Sequence, residues 1–106
     1  MTQAELFQAL KSIGMPVSYA FFSQPVEPPF ICYQFGYNND LMADNKNAIA
    51  VDNFQVELYT KTKDLPREKL VQDKLKELEL PYNKSEAWID EEKIYQVVYE
   101  IQLIGG

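Results

Sequence analysis

The chain has 106 residues, and none of them is histidine. That removes the usual general base at neutral pH, the Ser-His-Asp arrangement and every histidine-based metal site. A single cysteine, Cys32, allows neither an intrachain disulfide nor a thiolate cluster for zinc or iron–sulfur. With no base to activate it and apolar strand neighbours, Cys32 reads as a buried, inert thiol rather than a nucleophile. Carboxylates are the remaining chemistry. Asp40, Asp44 and Asp52 supply oxygens for a hard cation, but known Ca²⁺ loops alternate their ligands tightly around a turn glycine, and this spacing does not. Asp90, Glu91 and Glu92 are three adjacent acids. Acid–base catalysis needs one carboxyl desolvated, whereas adjacent acids at a turn stay hydrated. None of the four glycines (Gly14, Gly36, Gly105, Gly106) belongs to a phosphate-binding loop. No catalytic residue, cofactor site or metal site is expected, and the chain reads as a non-enzyme.

Charge excludes further classes. Ten Lys and Arg stand against 16 Asp and Glu, a net charge of −6. A duplex-binding or anionic-membrane surface needs clustered positive charge, so neither nucleic acid nor membrane is an expected partner. Seven tyrosines and six phenylalanines could stack single-stranded bases on a sheet. The aromatic segments 30–37 and 94–104 contain no Lys or Arg to follow the phosphates, which leaves core and interface packing as their role. No apolar run approaches the ~20 residues that span a bilayer. The opening MTQAELFQAL has neither the basic nor the apolar region expected of a secretory leader.

Placing these residues requires the elements. Thr2 and Glu5 form a capping box that opens a helix over about 3–13, with Leu6, Leu10 and Ile13 on one stripe. Gly14 and Pro16 end it. Val17, Tyr19 and Phe21 alternate and offer a short strand, before the stiff segment around Pro25, Pro28 and Pro29. The next strand covers 30–37, with Ile31, Tyr33, Phe35 and Tyr37 on one face and Cys32, Gln34 and Gly36 on the other. A second runs over 51–60, with Phe54, Val56 and Leu58 inward. Asp64 caps a helix over about 65–80 with Val71, Leu75 and Leu78 as its stripe, and Pro66 sits in the first turn. Strands over 85–89 and 94–104 flank a polar turn at Asp90–Lys93. The expected fold is α+β, ordered α-β-β-α-β-β: one domain over residues 1–106, with an antiparallel sheet of four strands (five if Val17–Phe21 joins) and two helices on one face. The open edges of such a sheet are either guarded or used for assembly.

Between the first two long strands lies NNDLMADNKNAIA, Asn38 to Ala50, read as one long polar loop. Connections of more than about 12 residues are uncommon inside compact domains unless they function or are disordered. Leu41 and Met42 interrupt its polarity. They either anchor a partner or fold back under the sheet, and nothing local decides between the two. The candidate contact residues are Asn38, Asn39, Asp40, Leu41, Met42, Asp44, Asn45, Lys46 and Asn47.

Taken together, PPFICYQFGYNND, ADNK, FQVELYTKTKD and EEKIYQVVYEIQLIG resemble, in order and spacing, a family of small phage and prophage tail completion proteins. These serve at the head–tail joining region of siphophages of Gram-positive bacteria. The resemblance covers the chain from about Pro16 onward and implies a virion subunit. Such a subunit is made in the host cytoplasm and caps the tail tube as a homo-oligomeric ring, meeting tube and head-connector proteins. Ring, tail and virion location come from the resemblance alone, and it carries over no site residue. Two other readings stay open: an adaptor or regulatory binding module of a mobile element, and a small metal-dependent hydrolase using Asp44 or Asp52.

Overall fold

A computed structural model describes residues 1–105. Helix α1 spans Gln3–Lys11 and helix α2 spans Leu65–Glu77. The strands are β1 (Val17–Tyr19), β2 (Phe30–Asn38), β3 (Leu41–Ala43), β4 (Lys46–Ile49), β5 (Val51–Thr60), β6 (Asn83–Ile89) and β7 (Ile94–Ile104). Both expected helix caps form. Thr2 Oγ1 accepts from Glu5 N–H at 3.1 Å and Thr2 N–H donates to Glu5 Oε1 at 2.9 Å. Asp64 Oδ1 accepts from Arg67 N–H at 3.1 Å. These bonds satisfy donors that a helix start would otherwise leave open.

Five strands form one sheet in the order β1-β2-β5-β7-β6, and β3 and β4 pair separately as a hairpin. The α+β class holds, but the expected all-antiparallel sheet of four strands and the simple α-β-β-α-β-β order need correction. β1 joins as an edge strand parallel to β2, with Val17 opposite Ile31 and Tyr19 opposite Tyr33, which makes the sheet mixed. The connector 20–29 carries the chain back to the start of β2, so the two strands run the same way. The other neighbours are antiparallel.

Register explains the core. Ile31, Tyr33, Phe54, Val56, Leu58, Val97, Tyr99, Ile101 and Leu103 share one sheet face with Leu6 and Leu10 of α1 and Val71 and Leu75 of α2. Both helices therefore cover the same face, as their single apolar stripes require. Tyr99 is fully buried and its hydroxyl donates to Gln72 Oε1 at 3.0 Å, tying β7 to α2.

One buried charge fixes the helix to the sheet edge. Glu68 on α2 is 2% exposed. Its Oε1 accepts from Lys63 Nζ at 3.0 Å and lies 2.7 Å from Lys84 Nζ on β6. Oε2 sits 2.9 Å from Lys63 Nζ but lacks hydrogen-bond geometry. Lys63 also bridges to Glu86 on β6 and lies over the Tyr95 ring. Two cations around one buried carboxylate offset its desolvation, which would be costly for an unpaired charge.

A β-bulge changes the alternation read along β2. Pairing shifts between Phe35 and Tyr37, so Phe35 faces Phe54 while Tyr37 faces Asn53. An extra residue in a strand turns the residues beyond it to the other face. Tyr37 accordingly leaves the apolar face on which strict alternation puts it and is 61% exposed. Gly36 occupies the bulge, where an added Cβ would lie 3.3 Å from Asn53 O.

Candidate functional site

The segment 38–50 is not a structureless loop, and this corrects the expectation from sequence. It forms the β3–β4 hairpin, with Leu41 opposite Ile49, Met42 opposite Asn47 and Ala43 opposite Lys46. Asp44 and Asn45 are its two turn residues, both left-handed at φ 51° and 62°. Two consecutive left-handed residues make the primed turn that matches strand twist, and Asp and Asn tolerate that conformation better than other non-glycine residues. Every residue of β3 and β4 is exposed, which hides the hairpin in the sequence. With neither face buried, no apolar–polar alternation marks the strands.

The base of the hairpin is held by short polar bonds. Asn39 N–H donates to Val51 O at 2.9 Å. Asp40 Oδ1 accepts from Val51 N–H, and its Oδ2 accepts from Asn47 Nδ2, both at 2.8 Å. These donors, Val51 N–H first, hold the Asp40 carboxyl below the usual carboxylate range. Asn53 Nδ2 donates to Asn39 Oδ1 at 2.8 Å and to Tyr37 O at 3.1 Å. Asn38 closes β2 opposite Asp52. Asp40 and Asn39 are therefore structural bracing. Leu41 (57% exposed), Met42 (67%) and Ile49 (44%) stand out in solvent with Lys46 beside the turn. Of the two fates open for Leu41 and Met42, tucking under the sheet is not the one observed.

The remaining candidates are dispersed. Asp44 lies in the hairpin turn and Asp52 on β5. Among the described residues no three His, Cys, Asp or Glu side chains gather as metal ligands. Asp90 accepts from Lys93 Nζ and Trp88 Nε1 at the β6–β7 turn, while Glu91 and Glu92 are exposed. No helix among the described residues is long and apolar enough to cross a membrane.

A polar relay on the sheet face away from the helices is absent from the expectations drawn from sequence. Gln96 Nε2 donates to Tyr59 Oη at 2.8 Å, Tyr59 donates to Glu57 Oε1 at 2.9 Å, and Gln34 Nε2 donates to Glu57 Oε2 at 2.8 Å. Glu57 is only 4% exposed. Phe30 stacks on Tyr59 at 4.9 Å, and Phe22 meets Phe30 edge-on at 5.3 Å, so the 20–29 connector closes over this region. Burial, and secondarily the Glu57 charge, push the Cys32 thiol up to about 11. A thiol so poised stays protonated and unreactive near neutral pH. The one signal of the relay in the sequence is a carboxylate on the central strand among amide-bearing neighbours.

No known protein-family model matches this chain, and no curated protein matches it.

Proposed function

We propose that this chain is a non-enzymatic virion subunit, a tail terminator or tail completion protein at the head–tail junction, acting by ring assembly and protein–protein contact. The observation that carries the reading is the hairpin. A lone two-stranded hairpin is marginal in water, and this one leaves Leu41, Met42 and Ile49 exposed. An exposed apolar arm is stabilised when a partner covers it, and the resemblance to tail completion proteins implies the class of partner: further copies, the tube and the connector. The mechanism is geometric. Subunits meet head to tail, the ring closes, and the closed ring ends tube growth and offers a face to the head.

The test is complementation of a phage lacking this subunit. Wild type restores joined particles of uniform tail length in negative-stain electron microscopy. A chain lacking Asp40–Asn47 folds as a monomer yet yields unjoined or overlong tails. Normal particles from the deletion variant would remove the hairpin from the mechanism. Normal particles without any copy of the protein would remove the function itself.

A further inference from the structure

Strand β7 is longer than its outer neighbour. β5 pairs it as far as Val51 opposite Ile104, but β6 begins only at Asn83 opposite Glu100. Ile101–Ile104 therefore has a strand on one side only. Gly105 N–H donates to Ala50 O, so Gly105, and by alternation Leu103 and Ile101, turn their backbone groups toward β5. Gln102 and Ile104 turn theirs the other way, toward the side that β6 does not reach. That side is a groove of about 620 Å³, walled by the Leu78–Tyr82 turn and lined also by Met1, Tyr37 and Ile104. Its lining comes from both sheet faces, with the buried Ile101 and Leu103 on one and Gln102 and Ile104 on the other. Glu79 and Glu100 also line it, and among the described residues neither has an ion-pair partner.

Two other open edges, on β2 and β6, are guarded. Above Tyr33, β2 has no β1 neighbour, but Phe35 N–H donates to the Tyr19 hydroxyl at 3.1 Å, and the bulge distorts the rest of that edge. β6 carries Lys84 and Glu86, and charges on an edge strand discourage pairing. The Ile101–Ile104 edge has neither device.

We infer that this groove receives the β3–β4 hairpin of a second copy, with β4 adding as a strand beside Gln102 and Ile104. Length agrees, since β4 has four residues and the free edge spans Ile101–Ile104. Charge agrees, since Lys46 is the hairpin's one cation, has no ion-pair partner among the described residues, and would meet two carboxylates. Height agrees, since the hairpin leaves β5 at Val51, the register partner of Ile104. Groove and hairpin lie at one end of the sheet, the hairpin joined to β2 and β5 and the groove on the outer side of β7. A copy set alongside, rather than end to end, brings its hairpin to the groove. The contact joins different surfaces of the two copies, the heterologous kind that forms a ring when its rotation closes. This inference rests on the self-assembly part of the proposed function.

The test is disulfide trapping between single-cysteine arms in the full chain, Ala48→Cys mixed with Gln102→Cys, with the buried Cys32 left in place. Thermal melts establish that each variant is folded. The expected product under mild oxidation is a mixed dimer, absent when either variant is oxidised alone, and a ladder of oligomers from the double variant. Lys46→Glu in the Ala48→Cys arm lowers trapping about tenfold, as turning an interfacial pair repulsive does, and Glu100→Lys in the Gln102→Cys arm restores it. Self-association in native mass spectrometry without the mixed bridge overturns the hairpin-in-groove contact and leaves the ring reading standing. A bridge between two Ala48→Cys arms overturns it in favour of a two-fold contact. No association and no trapping up to about 1 mM, near the limit of meaningful affinity, overturns both.

Discussion

Removing the apolar side chains of the hairpin while leaving its backbone intact separates assembly from folding. Leu41, Met42 and Ile49 are 57%, 67% and 44% exposed, and none belongs to the core cluster. Together they hold the equivalent of about 1.7 side chains still to be buried, each worth roughly 1.5–3 kcal/mol. Complete burial in a ring contact would thus contribute about 2.5–5 kcal/mol per interface, or roughly 70- to 5,000-fold in the association constant. The substitution Leu41→Ser/Met42→Ser/Ile49→Ser should forfeit most of that. Monomer stability should stay within about 0.5 kcal/mol of wild type, as for other surface changes. Native mass spectrometry across a dilution series reads the first quantity and urea denaturation the second, with phage complementation as the biological readout. A triple variant that associates and complements like wild type would refute the role of these side chains. One that loses several kcal/mol of monomer stability would show that they serve the fold.

Further outcomes concern the interior and titration. Leu75→Ala should cost about 2–5 kcal/mol in urea denaturation, because Leu75 is fully buried between α2 and the sheet. Glu57→Gln removes a buried charge that no cation balances while its neighbours Gln34 and Tyr59 remain; stability should hold or rise. Ultraviolet titration should then place the Cys32 thiol below about 11 but still above an ordinary cysteine, since burial is the larger cause. Asp40, Asp64, Glu86 and Asp90 all have lowered folded-state pKa values, held down by hydrogen-bond donors such as Val51 N–H, Arg67 and Lys63. The unfolded chain therefore binds more protons as acid is added, and the denaturation midpoint should fall below about pH 4. Tyr59 and Tyr99 are raised mainly by burial, so the unfolded chain deprotonates first in base. Stability should fall again above about pH 10, less so in Tyr99→Phe.

Features encoded over a few residues are legible directly. The caps at Thr2 and Asp64, the stripes Leu6–Leu10 and Val71–Leu75, and the alternation of Phe54, Val56 and Leu58 depend on spacing along one segment. All appear in the structure with those roles. Excluding histidine and thiolate-cluster chemistry needs only a count. Features set by pairing cannot be read so. Three residues of β1 find their place only against Ile31–Tyr33, and Tyr37 changes face only because β5 sets the register around Gly36. Asn38–Ala50 looks featureless because a hairpin exposed on both sides carries no hydrophobic period, and its turn uses Asp-Asn rather than a glycine pair. Glu57 and Glu68 are ordinary acids in sequence; the first is buried beneath an aromatic connector, the second between Lys63 and Lys84. Local periodicity determined the two helices and the long strands of the sheet. Which edge of β7 stays open, and what stands beside it, was decided by strand lengths that meet only in three dimensions.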